Sequence, residues 1–240
     1  MWFRFGGTQI HVDPGPGALV RALSHVPPCN PRELDAIALS HKHLDHAGDV
    51  TAMIEAMTSG GFRRRGVLLA PVDAIEGPEP TVFPYAQRFV ERIARLSAHG
   101  GPYRINDVEM RSSIRHVHSV DTFGMHFAYD GLRVSYLPCG KFFDGLVTDY
   151  ANAKPDVLII NVLRFSDGMD VDHLTWEGAR AIVEGARPRV AIFQHFGTKM
   201  LEADPVALAQ SVEDELGIRA IAAYDGLEVD LTTEVAAVGV

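Results

Sequence analysis

The sequence contains little cysteine: only Cys29 and Cys139 occur in 240 residues. This count excludes a disulfide framework and is typical of proteins in a reducing compartment, so we expect a cytoplasmic location. No apolar run approaches the roughly 20 residues that are needed to cross a bilayer. The N-terminus also lacks the basic region and apolar core of a secretory signal. We therefore predict no membrane association.

Basic residues are also scarce, because 22 lysines and arginines oppose 31 aspartates and glutamates and the formal net charge is −9. This balance argues against a broad surface for nucleic acid or membrane lipid. The basic cluster Arg63-Arg64-Arg65 precedes a predicted strand at Val67. We interpret it as a solvated loop end.

Strands and helices alternate along the chain, which, with 47% hydrophobic residues, predicts one α/β domain over residues 1–240. Alternating apolar patterns predict hairpins around Asp130-Gly131 and Asp225-Gly226. Helical spacing of apolar residues predicts helices near Asp49–Thr58 and Tyr85–Ser97. The other predicted strands are Trp2–Phe5, Gln9–Val12, Asp35–Ser40, Val157–Asn161 and Val190–Phe193. The other predicted helices are Leu19–Ser24, Thr175–Glu184 and Val206–Leu216.

The stretch SHKHLDHAGD, Ser40–Asp49, holds three histidines and two aspartates between a predicted strand and a predicted helix. In an extended segment, side chains two residues apart point to the same side, so His41 and His43 can reach one ion. Asp45 and His46 follow where the chain turns and can bind a second ion. Imidazole and carboxylate suit zinc, manganese or iron, which predicts a metal site. The alternative, four polar loop residues with no common target, fits this tight spacing less well.

Four side chains cannot complete two metal sites, so we expect further ligands downstream. His195 follows the predicted buried strand in VAIFQHFG, and strand ends are where α/β sheets present functional groups. Cys139 ends the second strand of a predicted hairpin. His116 and His118 in IRHVHSVD are two residues apart, so in a strand both side chains would point to the same side. Spacing therefore leaves open which of the two is a ligand. The full set of candidates is His116, His118, His126, Cys139, His173 and His195.

The segment HKHLDH, residues 41–46, matches a His-x-His-x-Asp-His signature. Over nearly its whole length the chain resembles the metallo-β-lactamase fold hydrolases. This resemblance implies an α/β fold, a four-layer αββα sandwich of two mixed β-sheets with metals at one edge. For a first ion it implies His41, His43 and His118 as ligands. For a second ion it implies Asp45, His46 and His195, with Cys139 at the position that bridges both.

The C-terminal run that starts at His173, HLTWEGARAIVEGARPRVAIFQHFG, is similar to the phosphodiesterase branch that includes the tRNA 3′-end endonucleases. In that branch the corresponding histidine assists proton transfer, which implies that His173 is the general acid. The alternative is a histidine that packs or caps at a helix start. We also expect Asp45 to serve twice, as a ligand and as an acceptor that orients the nucleophile.

The sequence departs from the family pattern in three places. Where a bridging Asp is usual, the chain has Cys139, and a thiolate favours zinc or iron; Asp144 is the alternative bridge. The chain lacks a long basic, glycine-rich arm, so tRNA is not the expected substrate. Family members usually open with a strand and glycine-rich turn before the segment TQIHVDPG, and we expect this element to be absent or shortened here. An exposed sheet edge would then favour a homodimer.

Together these features predict a hydrolase that uses a metal-bound hydroxide on a small, anionic phosphodiester. The expected cofactor is one or two divalent ions, chiefly zinc, with two ions about 3.5–4 Å apart if both are bound. One alternative is a hydrolase of a lactone, thioester or amide on the same metal centre, since loops around the pocket decide the substrate. Another is a metal-binding protein without hydrolytic activity. For Asp13, in DPGPG, the alternatives are a residue that organises the loop and a plain turn residue.

Overall fold

The computed structural model describes residues 1–166 and 171–238. The chain divides into two compact units. The first unit comprises Met1–Ser112 and Val120–Phe123, and the second comprises Ser113–Ser119 and the described residues from Gly124 onward. The single domain over residues 1–240 stays a prediction. Within the described ranges, no helix combines the length and apolar character that a membrane span requires.

The first sheet has five strands in the order β1-β2-β3-β4-β5. The antiparallel hairpin β1–β2 is followed by parallel pairing from β2 to β5. Apolar side chains of β3 and β4 pack with the helix after the His-rich segment to form one hydrophobic core. The strand bounds are Trp2–Phe5 (β1), Thr8–Val12 (β2), Ala36–Ala38 (β3), Val67–Ala70 (β4) and Arg92–Arg95 (β5).

The second sheet has seven strands in the order β12-β11-β10-β9-β8-β7-β6. Strands β9 to β12 pair in parallel, whereas β8–β9 and β6–β7 are antiparallel hairpins. Its central strands read as continuous apolar runs because both faces are covered. The strand bounds are Tyr103–Ile105 (β6), Val108–Arg115 (β7), Phe123–Tyr129 (β8), Leu132–Leu137 (β9), Val157–Asn161 (β10), Val190–Gln194 (β11) and Arg219–Ala222 (β12).

Ten α-helices and a 3-10 helix at Pro31–Glu33 occur in the described residues. Several begin at the polar caps that their sequences supply: the Thr175 hydroxyl accepts from Gly178 N, and the Asp204 carboxylate accepts from Ala207 N. The helix bounds are Ala18–Ser24 (α1), Leu44–Ala47 (α2), Val50–Thr58 (α3), Val72–Ile75 (α4), Pro84–Gln87 (α5), Asp144–Ala153 (α6), Trp176–Ala186 (α7), Thr198–Glu202 (α8), Pro205–Leu216 (α9) and Leu231–Ala237 (α10).

The helix predicted over Tyr85–Ser97 is wrong. Only the short α5 forms there, and Arg92–Arg95 is strand β5. Ile93 has the spacing of a helical residue, yet it pairs with Leu68 of the buried strand β4. Pairing with a buried neighbour strand outweighs the local apolar period, which cannot separate a strand from a helix over so short a segment.

The hairpin predicted around Asp225-Gly226 is also wrong. The Asp-Gly pair does form a turn, in which Gly226 has a φ of +92°. The chain then continues into α10, because the Asp230 carboxylate accepts from Thr232 N and Thr233 N and thereby caps a helix. An Asp-Gly turn signal therefore located the change of direction but not the element that follows it.

Candidate metal centre

In the first unit, the His-rich segment lies in the loop between β3 and α2, as its sequence position predicts. Three imidazoles gather there: the ring centroids of His41 and His43 are 4.9 Å apart, and those of His41 and His46 are 4.1 Å apart. His41 and His46 are buried, with exposed fractions of 0% and 3%. Buried, clustered imidazoles at a strand end are suited to binding a metal ion.

Asp45 lies next to His46 on the same short helix α2. Its Oδ2 atom is 3.5 Å from His46 Nε2. Two oxygen or nitrogen ligands of a tetrahedral zinc ion, with bonds of about 2.0–2.1 Å, lie about 3.3 Å apart. The pair therefore has the separation of two ligands of one ion.

Hydrogen bonds select the tautomers of His41 and His46. The Ser40 hydroxyl donates to Asp13 Oδ2 over 2.6 Å, so its oxygen accepts from His41 Nδ1 at 2.9 Å. His46 Nδ1 donates to the same Asp13 carboxylate at 3.0 Å. With the hydrogen on Nδ1, each neutral ring carries its lone pair on Nε2, which is the form that binds a metal.

Asp13 therefore organises the loop and is not a plain turn residue. Its carboxylate also accepts from Ser40 N at 2.7 Å, and its backbone adopts a φ of +51°, which Asp tolerates. Burial alone would raise the pKa of Asp13, but the hydrogen bonds that its carboxylate accepts from His46 and Ser40 outweigh burial and hold this pKa well below its usual range. Spacing could not reveal this role, because 27 residues separate Asp13 from Ser40.

In the second unit, the structure distinguishes His118 from His116. His118 Nδ1 donates to the backbone carbonyl of Asp172 at 2.9 Å, which again leaves the lone pair on Nε2. His116 is 1% exposed, its Nδ1 donates to the Cys139 carbonyl at 3.1 Å, and its Nε2 faces the Tyr150 hydroxyl at 3.4 Å. Both ring nitrogens of His116 therefore hold structural partners, and His118 is the better ligand candidate.

Cys139 and His195 are neighbours in the second unit although 56 residues separate them. Their Sγ and Nε2 atoms are 3.9 Å apart. Sulfur and nitrogen ligands of one zinc ion, with bonds of about 2.3 and 2.05 Å, lie about 3.6 Å apart. His195 has a φ of +61°, an uncommon backbone conformation for a non-glycine residue. Asp144, the alternative to Cys139, is exposed in the first turn of α6.

The remaining candidate histidines have different surroundings. His173 lies beside His118, with ring centroids 5.1 Å apart. His126 lies within β8, where its Nδ1 contacts the Ser135 hydroxyl at 2.8 Å and its Nε2 is 3.5 Å from Asp149 Oδ2. His126 thus has a structural role in the sheet, whereas His173 stays a candidate for proton transfer.

The buried imidazole of His116 also makes stability depend on pH. Burial lowers the pKa of His116 from 6.5 to about 4, although the hydrogen bond to the Cys139 carbonyl partly offsets this shift. As the pH falls through 6.5, the unfolded chain takes up a proton that the folded chain does not bind until about pH 4. Stability present above pH 6.5 is therefore lost as the pH falls.

We expect His116 to lower the free energy of unfolding of metal-free protein by about 2 kcal/mol between pH 7 and pH 5. Urea unfolding of the wild type and of His116→Asn at both pH values measures this effect. Asparagine keeps a donor near the position of Nδ1 but does not titrate, and other histidines contribute equally to both proteins. An identical pH dependence in the two proteins would contradict the expectation.

A comparison with known protein families shows which family the chain belongs to. Residues 8–196 match the family described as the beta-lactamase superfamily domain, which is more than half of the 240 residues. The chain belongs to the beta-lactamase superfamily. The predicted resemblance to the metallo-β-lactamase fold proteins is therefore confirmed, as is the predicted α/β fold with two mixed β-sheets.

Relatives of this superfamily member extend over most of its length. The uncharacterized protein MJ1374 of Methanocaldococcus jannaschii is 30% identical over 230 residues, or 93% of this chain and 83% of the relative. The metallo-β-lactamase fold protein YhfI of Bacillus subtilis is similar in structure, with a TM-score of 0.75, 20% identity and coverage of 94% of this chain and 88% of YhfI. The short form of human tRNase Z is also similar in structure, with a TM-score of 0.68 and 14% identity. The match covers 96% of this chain and 91% of the tRNase Z chain. At these identities the two structures establish a shared fold.

Proposed function

We propose that this superfamily member is a metal-dependent hydrolase that acts on a small, anionic phosphodiester. The observation that carries the proposal is the common tautomer of His41, His46 and His118. In each ring Nδ1 donates to an oxygen acceptor, so Nε2 carries the lone pair. Three histidines from two parts of the chain are thus prepared in the same way for coordination.

The proposed ligand sets follow the superfamily pattern. One ion would be held by His41, His43 and His118. A second ion would be held by Asp45, His46 and His195. Cys139 would serve both, since its thiol already lies near His195 in the second unit. Imidazole, carboxylate and thiolate together fit zinc, with iron or manganese as other possible ions.

When bound, divalent ions supply Lewis acidity that polarises a phosphoryl oxygen and makes water more acidic. The chain's own residues orient the reactants. The Asp45 carboxylate, with 61% of its side chain exposed, would accept a hydrogen bond from the attacking water. An acceptor at this position aligns the water without a cost of reorganisation during the reaction.

His173 is the proposed general acid. Among the described residues, its Nδ1 is buried and has no hydrogen-bond partner. A buried N–H without an acceptor is unfavourable, so the hydrogen resides on Nε2 instead. In the neutral ring Nε2 would donate a hydrogen bond to the leaving oxygen. To act as a general acid the ring would first take up a second proton, so that it returns to the neutral form when it gives a proton to that oxygen. The ring lies beside His118, a proposed ligand.

The proposed substrate is small because the charge of the chain does not suit a large nucleic acid. A formal net charge of −9 disfavours the many phosphate contacts that a tRNA surface requires. Divalent metal ions bound at the proposed site would still neutralise a single phosphodiester within a protein of net negative charge. A homodimer remains a prediction of the sequence.

Elemental analysis, paired with turnover of a small phosphodiester such as bis(p-nitrophenyl) phosphate, tests the proposal. We expect two metal ions per chain and turnover that a chelator abolishes and zinc restores. Cys139→Asp is expected to keep both ions and turnover within about tenfold, because a carboxylate can also bridge two ions. Cys29→Ser is the matched control, since its thiol contacts Arg4 elsewhere in the first unit.

Other outcomes would favour the alternatives. Bound metal with turnover of a lactone or thioester, but not of a phosphodiester, would contradict the substrate class. Bound metal without turnover of any ester, unchanged in Cys139→Asp, would favour a binding protein. The observation that favours this second candidate is a thiol in place of the bridging carboxylate. One ion per chain would contradict the paired ligand sets.

A further inference from the structure

Asn161 ends the strand between those that lead to Cys139 and His195, two of the proposed ligands in the second unit. It is the last residue of β10, the central strand of the parallel set β9–β10–β11. Cys139 follows β9 by two residues, and His195 directly follows β11. The carboxyl ends of neighbouring parallel strands meet at one edge of the sheet, so the amide of Asn161 faces the Cys139 thiol.

The amide of Asn161 belongs to a buried network of hydrogen bonds. Its Oδ1 accepts from Gln194 Nε2 at 3.0 Å. Its Nδ2 donates to the Tyr136 hydroxyl at 3.1 Å and to Cys139 Sγ at 3.6 Å. Asn161 and Cys139 are each 2% exposed, and Tyr136 is 1% exposed. Water therefore cannot take the place of this donor without rearrangement of the core.

A thiolate that binds a metal has no hydrogen and can only accept hydrogen bonds. A buried negative sulfur is costly unless donors surround it. An amide that turned its oxygen toward the sulfur would repel it, whereas the Nδ2 group stabilises it. The hydrogen bond from Gln194 Nε2 to Asn161 Oδ1 favours the orientation in which Nδ2 points at the sulfur, because it holds the oxygen on the opposite side of the amide.

We propose that Asn161 is a positioning residue that donates a hydrogen bond to the Cys139 thiolate and sets the strength of its bond to metal. The proposal rests on the proposed function, in which Cys139 is a metal ligand. Hydrogen bonds to ligand atoms tune both the affinity and the electronic properties of metal sites. Asn161 thus compensates for the presence of a soft sulfur at a position where the family pattern has a carboxylate.

Cobalt substitution of the full-length protein tests this role through a property that a purely structural residue would not change. Wild-type protein loaded with Co²⁺ is expected to show a sulfur-to-cobalt charge-transfer band. In Asn161→Leu this band is expected to move to lower energy, because the sulfur lone pairs lose a stabilising donor. Affinity for Co²⁺ is expected to fall about 10–100-fold.

Two further variants separate this effect from general damage to the fold. Asn161→Asp keeps the acceptor for Gln194 but places an oxygen against the sulfur, so it is expected to shift the band in the same direction. Tyr136→Phe removes the other acceptor of the same amide but leaves the donor to sulfur, and it is expected to keep the wild-type band. Circular dichroism checks that each variant is folded.

A wild-type band that keeps its energy in both Asn161 variants would overturn this proposal and leave the proposed function intact. A wild-type protein that binds Co²⁺ without such a band would overturn both the role of Cys139 as a ligand and the role of Asn161. A shift in Tyr136→Phe equal to that in Asn161→Leu would also overturn the proposal, because the effect would then come from packing.

Discussion

The Asp13→Asn variant is expected to bind zinc about 10–100-fold more weakly than the wild type, without a change in the ligands themselves. The carboxylate of Asp13 accepts from His46 Nδ1 and from the hydroxyl of Ser40, which in turn accepts from His41. One residue thus sets the tautomers of two proposed ligands in the first unit. An amide offers one acceptor in place of two and carries no charge, so both rings lose part of their orientation.

The same substitution is expected to lower the free energy of unfolding by about 2–3 kcal/mol, because hydrogen bonds to a buried charged acceptor are replaced by weaker ones. Asparagine is the suitable replacement, since it tolerates the φ of +51° at position 13 and keeps the size of the side chain. Isothermal titration of the metal-free protein with zinc, and urea unfolding, measure the two effects.

Asp49→Asn is the matched control for Asp13→Asn. The Asp49 carboxylate accepts from Leu19 N at 3.0 Å, in the neighbouring part of the same unit. Its loss is expected to lower stability by about 1 kcal/mol and to leave zinc affinity unchanged. Equal zinc affinities of Asp13→Asn and the wild type would show that the tautomers of His41 and His46 do not depend on this carboxylate.

Gly15→Ala is expected to lower phosphodiester turnover about 100-fold, the cost of a displacement of about 1 Å at a catalytic group. A Cβ atom at position 15 would lie 2.0 Å from the carbonyl oxygen of Asp45 and 3.0 Å from its carbonyl carbon. Because these are backbone atoms, the segment that carries Asp45 and His46 must move. The reason is steric, since Gly15 does not have a positive φ.

The Gly15→Ala protein is expected to remain folded but to lose about 1–3 kcal/mol of stability, as overpacked sites do. Gly7→Ala is the matched control, because no atom lies within 4 Å of a Cβ at position 7. Turnover and zinc content of the two variants are compared under identical conditions. Normal turnover in Gly15→Ala would show that the DPGPG loop does not hold the His-rich segment in place.

Residues close in sequence account for the part of the candidate centre that could be predicted. His41, His43, Asp45 and His46 lie within six residues, so their spacing alone predicted one pair of ligands for a first ion and another pair for a second. The strands that precede the His-rich segment and His195 were also predictable, because β3 and β11 are short apolar runs with clear ends. Strand β5 was not, since pairing with β4 overrode the helical spacing of Ile93.

By itself, the sequence determined the superfamily, the alternation of strands and helices and the residue types that bind a metal, because apolar periodicity and ligand chemistry are local properties. Only the tertiary structure showed that both ring nitrogens of His116 have partners, linked Asp13 to two histidines and brought Asn161 against the Cys139 sulfur. These roles depend on hydrogen bonds between residues at least 22 positions apart. Such bonds are set by strand register and burial, which no single segment encodes.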